Sequence, residues 1–368
     1  MKEDYVFPFE GEKHLGTVIM LPYREDTWRN KAKPALKEFH RIIREISRFE
    51  KVLVIADPSH FSDEFLLDYT KDLNLNVNLL RLPYDDSWAR DPLPVFLRDK
   101  EGNLLGNDYG FNSWGGSYDG LYYPYDEDNS INQGLLPYLG IPREAYKDFI
   151  LEGGSIHTDG EGTLLVTEEC LLSKGRNPSL SKEQIEEKLK ETLNVKKVLW
   201  LPNGIYNDET DGHVDNIACF LAPGTVLLAV AENKEDPQYL RSKEDLDYLS
   251  SVTDAKGRKL RIITVPVPDP ALYLSAEEEK GIKKSQDAVE RKAGRRLAAS
   301  YVNFYLGENF LVLPSFGVKE DKTAYKILHD FYQGQKEIIQ VPSKEILLGG
   351  GNIHCITKQI PYSDKYHI

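Results

Sequence analysis

The chain has 368 residues, of which 46 are basic and 59 acidic, so its formal net charge is -13. Such a negative surface disfavours nucleic acids and anionic membranes as partners and is compatible with a small cationic ligand. The hydrophobic content of 40% includes no apolar run that could cross a bilayer, so we expect a soluble globular protein with a sizeable core.

The N-terminal stretch MKEDYVFPFEGEKH has no apolar segment and no cleavage site, so no signal peptide is expected. The three cysteines, Cys170, Cys219 and Cys355, are odd in number and form no CxxC pair. Such cysteine usage disfavours a disulfide framework and favours a reducing cytoplasm. The sequence leaves the oligomeric state open, a homo-oligomer included.

One pattern of strand, tight turn, strand, helix and strand recurs along the chain. Its first copy, residues 16–57, lacks one strand of the hairpin. The second copy, residues 77–111, has a hairpin around Gly102 and continues into an irregular stretch. We expect the segment after the C-terminal triple glycine to supply the strand that the first copy lacks.

Three clearer copies follow at residues 155–202, 216–268 and 299–342. In the first of these, Ser181 stands three residues before Gln184, which marks the start of a helix. The pattern predicts an α/β protein of about five ββαβ units that are arranged around an axis. Loops of successive units would then meet at one pole, and a site there would take single residues from distant parts of the chain.

Residues suited to catalysis or ligand binding lie near the starts of predicted strands in different units. They occur in the motifs DDSWARDP, LEGGSIH, DETDGHVDN and GGGNIHC. The candidates are Asp85, Asp86, Trp88, Asp91, Glu152, Glu209, Asp211, His213, Asp215 and Cys355. The glycines in two of these motifs allow a ligand to approach the backbone closely.

The candidates make chemical sense together if the substrate is a cation. A cysteine nucleophile needs its thiolate form, and an acid-base group must protonate the leaving group. Carboxylates around Cys355 would normally raise the pKa of its thiol. A cationic substrate removes this conflict, since a planar guanidinium can bind Asp91 and Asp215 by paired hydrogen bonds and offset their charge.

Several motifs together identify a family. The stretches DDSWARD, LEGGSIHTDGEGTLLVTEECLL, GRNPSLS, DETDGHVDN, TDAKGR and GGGNIHCIT resemble agmatine deiminases of the guanidine-modifying (pentein) superfamily, and the resemblance extends over almost the whole chain. It implies a single domain over residues 1–368 with the pentein fold, a five-bladed α/β propeller of ββαβ units with pseudo-fivefold symmetry. It also implies hydrolysis of agmatine to N-carbamoylputrescine and ammonia without a metal or an organic cofactor.

The resemblance assigns roles position by position. Cys355 would attack the guanidino carbon, and His213 would protonate the departing ammonia and later activate water. Asp91 and Asp215 would hold guanidinium nitrogens, and the covalent intermediate would be an S-alkylthiouronium. The residues expected along the substrate are Glu152 of the EGG motif, Trp88 as a wall, Glu209 near the amine tail, and Asp211.

Other residues have simpler interpretations. His354 adjoins the nucleophile, but successive side chains of a strand point to opposite faces, so it is expected to be structural. Cys170 and Cys219 lie in apolar runs and are expected in the core without an acid-base partner, and His157 is expected to be structural. Trp114 fits a wall of the site and simple loop packing equally well. The basic stretch EEEKGIKKSQDAVERKAGRR is expected to form a helix that is a solvated face or a loop cover, with an interface role as the alternative.

Rival functions remain open at this stage. His213, Asp215 and Cys355 could all bind zinc, but no closely spaced ligand pair supports a metal hydrolase. A papain-like protease has its cysteine before its histidine, which is the reverse of the order here. A polyamine-binding protein would need the carboxylates but not the cysteine. Deimination of free or peptidyl arginine is the alternative within the superfamily, and free arginine would require a positive group for its α-carboxylate.

Overall fold

The computed structural model describes residues 4–368, so residues 1–3 of the predicted domain and of the N-terminal stretch lie outside its described part. The strands are, in chain order, β1 Tyr5–Val6, β2 His14–Met20, β3 Val52–Ala56, β4 Val77–Arg81, β5 Val95–Asp99, β6 Leu104–Gly110, β7 Arg143–Ile150, β8 His157–Thr158, β9 Thr163–Thr167, β10 Lys197–Leu201, β11 Ala218–Ala222, β12 Thr225–Val230, β13 Arg261–Pro266, β14 Tyr305–Leu306, β15 Phe310–Ser315, β16 Glu337–Pro342 and β17 Thr357–Pro361. The helices are α1 Lys33–Ile46, α2 Asp63–Thr70, α3 Gly116–Asp119, α4 Asp126–Ser130, α5 Asn132–Leu139, α6 Glu168–Leu171, α7 Lys182–Leu193, α8 Val214–Ile217, α9 Gln238–Ser251, α10 Ala276–Lys280, α11 Glu320–Tyr332 and α12 Lys344–Leu348.

Within residues 4–368 the strands form five sheets, ordered β17-β2-β3-β4, β1-β5-β6-β7, β8-β9-β10, β11-β12-β13 and β14-β15-β16. In each sheet, one strand has an antiparallel neighbour on one side and a parallel neighbour on the other. For example, β12 pairs antiparallel with β11 and parallel with β13. A helix connects the two parallel strands, because a parallel pair cannot be joined by a tight turn. The mixed α/β class and the recurring ββαβ pattern are therefore confirmed.

The C-terminal strand completes the N-terminal sheet. β17 pairs antiparallel with β2, and Thr357 lies opposite Ile19. The segment after the triple glycine thus supplies the strand that residues 16–57 lack, as predicted. This pairing brings Cys355 next to the first unit of the chain.

Helices α1, α7, α9 and α11 form within the copies of the repeat, where the pattern predicts a helix. The Ser181 side chain caps α7 by accepting a hydrogen bond from the backbone of Gln184, whose side chain in turn binds the Ser181 backbone. Helix α1 buries the face that carries Phe39, Ile43 and Ile46. Burial of this apolar stripe against the sheet stabilises the helix more than its intrinsic propensity does.

The basic stretch at residues 277–296 departs from the prediction of a solvated helix. Only α10 is helical, and the chain is irregular from residue 283 to residue 304 except for short bridges. The segment also enters the interior, since Arg291 is 8% exposed. The charge pattern of the segment does not predict the burial of Arg291, because its ion-pair partner, Glu209, is far away in sequence. Among residues 4–368, no helix is both long and apolar enough to cross a membrane.

Candidate active site

A short segment leads into one strand of each antiparallel pair and carries a buried polar side chain. These residues are Asp91 before β5, Glu152 before β8, Asp215 before β11, Asn303 before β14 and Cys355 before β17. Each sheet therefore contributes one such residue at the corresponding place in its repeat. The sequence candidates cover four of the five sheets and omit Asn303, because a neutral amide in an apolar run gives no catalytic signal.

The Cys355 thiol lies in a polar but desolvated environment. Its side chain is buried, with Sγ 3.6 Å from Oδ2 of Asp215 and 3.2 Å from Nδ2 of Asn303. Burial raises the pKa of Cys355 well above its ordinary value, and the charges of Asp215 and Asp91 raise it further. Without a ligand, Cys355 is therefore a neutral thiol at neutral pH.

The glycines before Cys355 make room for the pocket. A methyl group at Gly351 would come within 2.6 Å of the Trp88 ring and 3.0 Å of Cys355 Sγ. Gly350 has a φ of +116° and would place a methyl group 2.7 Å from Glu209. Only glycine allows the backbone to lie this close to three pocket side chains.

Asp91 is held in a fixed orientation. Its Oδ1 accepts a hydrogen bond of 2.8 Å from the Gly154 backbone, and its Oδ2 accepts one of 2.8 Å from the Trp114 indole. Burial raises the pKa of this carboxyl group, while the nearby imidazole of His213 acts in the opposite direction. Trp114 is thus part of the site, which decides between its two sequence interpretations.

Gly154 marks the point where three functional groups converge. A methyl group at this position would lie 2.6 Å from Nδ1 of His213, 2.8 Å from Oδ1 of Asp91 and 2.9 Å from Oδ2 of Asp215. The second glycine of the EGG motif therefore lets the backbone approach these atoms. Any larger residue would push the three groups apart.

His213 is buried between carboxylates. Its Nδ1 lies 3.9 Å from Asp91 Oδ1 and its Nε2 lies 3.9 Å from Glu152 Oε2. Burial opposes the charged imidazolium, but Asp91, Cys170 and Asp215 together outweigh it, so the pKa of His213 is well above its ordinary value. An imidazolium in this position can donate a proton.

Glu152 lies behind His213 and is tied to a buried arginine. Oε1 of Glu152 lies 2.8 Å from Nε of Arg176, whose Nη1 donates to Asp211 at 2.8 Å. Arg176 also donates to the backbone carbonyl of Trp114. His213 and Asp215 are not among the residues that line the Cys355 pocket, and neither are Glu152 and Asp211. Instead, Arg176 connects Glu152 and Asp211 with the loop that positions Trp114.

Asp215 belongs to a second buried network. His354 donates from Nδ1 to Asp215 Oδ2 and from Nε2 to Glu10 Oε2, each at 2.9 Å. Burial works against an ionised Asp215, but the His354 hydrogen bond and charge keep its pKa below the ordinary value. Oδ1 of Asp215 has no hydrogen-bond partner among residues 4–368. The carboxylate is therefore ionised and has one free oxygen.

Indole rings form one wall of the pocket. Trp88 stacks on Trp28 with a centroid distance of 4.9 Å and meets Trp114 edge to face at 6.3 Å. The indole N–H groups of Trp28 and Trp88 both donate to Asp86, at 2.7 Å and 3.1 Å. Asp86 is thereby fixed at the pocket wall, although the sequence offers it only as one acid among many.

Glu209 lines the pocket, but it is paired. Arg291 donates to both of its carboxylate oxygens, at 3.1 Å and 2.6 Å, and Arg295 approaches to 3.1 Å. Arg291 itself lines the pocket, 82 residues away in sequence. Sequence reasoning missed this arginine because it lies in the stretch predicted to be a solvated helix.

The burial of Cys170 and Cys219 agrees with the sequence analysis, but the isolation predicted for Cys170 is wrong. Cys170 belongs to a buried group with Glu152 and His213 in which the potential ligand atoms lie within 4.8 Å of one another. His213 comes from a different sheet, so this proximity is not visible in the sequence. All three cysteines are free thiols.

Within residues 4–368, two buried groups could offer three ligands to a metal ion. One contains Glu152, Cys170 and His213, and the other contains Glu10, His157 and His354. Each already has a guanidinium in contact, Arg176 at 2.8 Å from Glu152 and Arg90 at 3.0 Å from Glu10. The arginine in each group already neutralises the carboxylate that a metal ion would need.

Comparison with known proteins identifies the relatives of this chain. Residues 6–361 match the family described as Porphyromonas-type peptidyl-arginine deiminase. An agmatine deiminase of Pseudomonas aeruginosa is 44% identical over 364 residues, which cover 99% of this chain and 97% of the relative. The chain belongs to the agmatine deiminases of this family.

The structures of agmatine deiminases agree with this placement. The structure titled as the agmatine deiminase of Enterococcus faecalis catalysing its reaction has a TM-score of 0.93 and 36% identity, and the match covers 98% of this chain and 96% of that one. A C. jejuni agmatine deiminase with substrate bound has a TM-score of 0.82 and 28% identity, with 98% and 97% covered. The likeness therefore extends over nearly the whole length of each protein.

Proposed function

We propose that this protein hydrolyses a C–N bond of a linear amidine, converting agmatine to N-carbamoylputrescine and ammonia. The observation that carries the proposal is the placement of the Cys355 thiol near two buried carboxylates, Asp91 and Asp215, of which Asp215 has a free oxygen. A guanidinium group fits this arrangement because it is planar and presents paired N–H donors. Membership in the agmatine deiminases supports the same assignment.

Substrate binding prepares the nucleophile. Burial and the two carboxylates raise the pKa of Cys355 and keep it protonated in the free protein. The positive charge of a guanidinium bound between Asp91 and Asp215 lowers this pKa and favours the thiolate. The thiol then loses its proton to solvent beside the electrophilic guanidino carbon. Asp91 is held by Gly154 and Trp114, so the substrate meets a preorganised carboxylate.

The first chemical step forms a bond between Cys355 Sγ and the guanidino carbon. The His213 imidazolium gives its proton to one nitrogen of the tetrahedral adduct, and that nitrogen leaves as ammonia. The product of this step is an S-alkylthiouronium cation on Cys355. Glu152 supports the imidazolium from its Nε2 side, 3.9 Å away.

Water completes the reaction. The neutral His213 takes a proton from a water molecule, whose oxygen bonds to the thiouronium carbon. Collapse of this second adduct breaks the C–S bond and expels the Cys355 thiolate. The proton of the adduct's hydroxyl group passes to the sulfur, which leaves the ureido product and a neutral thiol. The proton on His213 restores the starting state for the next turnover.

The charges of the pocket favour agmatine over arginine. The charged residues that line it are Asp86, Asp91, Glu209 and Arg291. Arg291 donates hydrogen bonds to both carboxylate oxygens of Glu209. Its guanidinium is therefore already paired and is not available to bind an α-carboxylate. The remaining carboxylates suit a substrate with a second positive charge at the end of its tail. Trp88 would wall the chain between the two charges, and Asp211 would act through Arg176.

The test is ammonia release from agmatine, free arginine and a short arginine peptide by the native protein and by Cys355→Ala. We expect release from agmatine by the native protein only. Release from arginine instead would replace agmatine by the alternative substrate. Binding of agmatine by both proteins without release would indicate a polyamine-binding protein.

Further sequence-based expectations belong to this proposal. The five sheets would form a five-bladed propeller in one domain around a pseudo-fivefold axis, as the resemblance implies. The enzyme would work in the cytoplasm without a cofactor or nucleic acid, and its oligomeric state stays open. Small-angle scattering of the purified protein would measure both shape and oligomeric state.

A further inference from the structure

Asn303 occupies the same place in the fifth sheet that the proposed functional residues occupy in the other four. It lies directly before β14, in the unit 299–342, and its side chain is fully buried. Its amide contacts Cys355 Sγ, although 52 residues separate the two in sequence. Asn303 is therefore the residue that the fifth sheet contributes to the site, and it is absent from the candidates that the sequence suggested.

The neighbours of Asn303 fix the orientation of its amide group. Oδ1 accepts hydrogen bonds from the backbone N–H of His354 at 3.0 Å and of Cys355 at 3.4 Å. Nδ2 donates to Asn216 Oδ1 at 3.0 Å and to the Asp215 carbonyl at 3.3 Å. If the amide were reversed, its N–H groups would face the backbone N–H groups of His354 and Cys355, and no hydrogen bond could form between two donors. Nδ2 must therefore face Cys355 Sγ.

A fixed N–H donor at this sulfur has a specific consequence for its ionisation. The thiol form can donate to Asp215 Oδ2 at 3.6 Å or to Asn303 Oδ1 at 3.5 Å, whereas the thiolate form can only accept. The Asn303 N–H, 3.2 Å from Sγ, then stabilises the charged form. A neutral donor suits this pocket because it does not compete with a cationic substrate for the carboxylates.

We propose that Asn303 is a catalytic residue that binds the Cys355 thiolate through its Nδ2 hydrogen bond. The thiolate forms twice in each turnover, once before attack and once when the C–S bond breaks, and Asn303 stabilises it both times. This inference rests on the proposed function for its place in the reaction. The effect on the thiol itself does not require a substrate and can be measured separately.

The experiment follows alkylation of Cys355 by iodoacetamide as a function of pH in the absence of substrate. Mass spectrometry of the Cys355 peptide distinguishes this thiol from Cys170 and Cys219. Asn303→Leu removes the donor without adding a charge, and Asn303→Asp keeps the oxygen that accepts from the two backbone groups. Asn107→Leu is the matched control, because the Asn107 side chain is equally buried and, among residues 4–368, bonds only to Tyr109 and to the Thr192 carbonyl.

We expect the pH midpoint of alkylation to move upward by about one pH unit in Asn303→Leu, so that alkylation near neutral pH slows about tenfold. Asn303→Asp should move it at least as far, and Asn107→Leu should leave it unchanged. The kcat for agmatine should fall about tenfold or more in both Asn303 variants, with KM changed less. A folded Asn303→Leu or Asn303→Asp protein with the native midpoint would overturn the inference.

The two proposals fail in different ways. If the native protein releases no ammonia from agmatine but the midpoint still moves, the proposed function is wrong and the thiolate contact stands. If agmatine is deiminated but the midpoint does not move in the Asn303 variants, Asn303 has only a structural role.

Discussion

His354 holds Asp215 by a hydrogen bond of 2.9 Å, although in sequence it is the neighbour of Cys355 and not of Asp215. The same imidazole bonds to Glu10, and its pKa is raised because Glu10 and Asp215 outweigh the effects of burial and of Arg90. The two carboxylates therefore favour the protonated form of His354, which in turn favours an ionised Asp215. The expected structural role of His354 thus has a direct connection to the proposed guanidinium site.

Replacement of His354 should weaken the guanidinium site through Asp215. His354→Leu removes the donor to Asp215 and should lower kcat/KM for agmatine about 100-fold, whereas His354→Asn keeps a donor near the Nδ1 position and should lose about tenfold. Because the hydrogen bond and the charge of His354 both lower the pKa of Asp215, the acid limb of kcat/KM should move to higher pH in both variants, and further in His354→Leu. Equal losses in the two variants with no shift of this limb would contradict the positioning role.

Gly154→Ala should destroy activity while the protein stays folded. The added methyl group would meet His213, Asp91 and Asp215 at 2.6 to 2.9 Å, so we expect kcat to fall at least about 100-fold. Gly140→Ala is the control, because Gly140 has open space around it but a φ of +67°. It should cost about 1 kcal/mol of unfolding free energy and leave kcat unchanged. Native-like kcat in Gly154→Ala would mean that these groups do not act together.

The Glu209–Arg291 pair should set the preference for a cationic tail. Glu209→Gln frees the Arg291 guanidinium, so KM for agmatine should rise about tenfold or more and arginine should become a better substrate. The double variant Glu209→Gln with Arg291→Met removes both charges and should recover part of the agmatine preference. Thermal unfolding of both proteins separates this effect from lost stability. An unchanged agmatine-to-arginine ratio would show that the pair does not control specificity.

The Cys355 thiol should ionise only at high pH in the free enzyme. Burial, Asp215 and Asp91 all raise its pKa, so its alkylation rate should keep rising above the ordinary thiol midpoint of about pH 8.5. Asp215→Asn removes one of the negative charges and should lower the midpoint, even though it should abolish most turnover. A midpoint at or below the ordinary value in the native protein would contradict cation-assisted thiolate formation.

The sequence was sufficient to predict the repeated strands and helices, and also the site residues that lie in a distinctive motif. Repeated hairpins, the Ser181 capping box and the strand after the triple glycine are local patterns, and the structure contains all three. Cys355 and Asp91 were recognisable because glycine or tryptophan accompanies them.

The contacts that connect separate sheets could not be predicted. Asn303 lies in an apolar run, Arg176 in an ordinary loop and Arg291 in a basic stretch, so each resembles a structural or solvated residue. Their roles depend on partners that are distant in sequence. Glu152 is 24 positions from Arg176, Cys355 is 52 positions from Asn303, and Glu209 is 82 positions from Arg291. The Cys170 contact with His213 was missed for the same reason, since it joins two sheets.

The most direct test of the account is the mass of the protein after rapid acid quenching of its reaction with agmatine. Covalent catalysis predicts a transient species heavier by agmatine less one ammonia, located on the Cys355 peptide and decaying as N-carbamoylputrescine forms. A folded Cys355→Ala protein should show neither the adduct nor the product. Release of ammonia by Cys355→Ala, or turnover by the native protein with the adduct on another residue, would contradict the assignment of Cys355 as nucleophile.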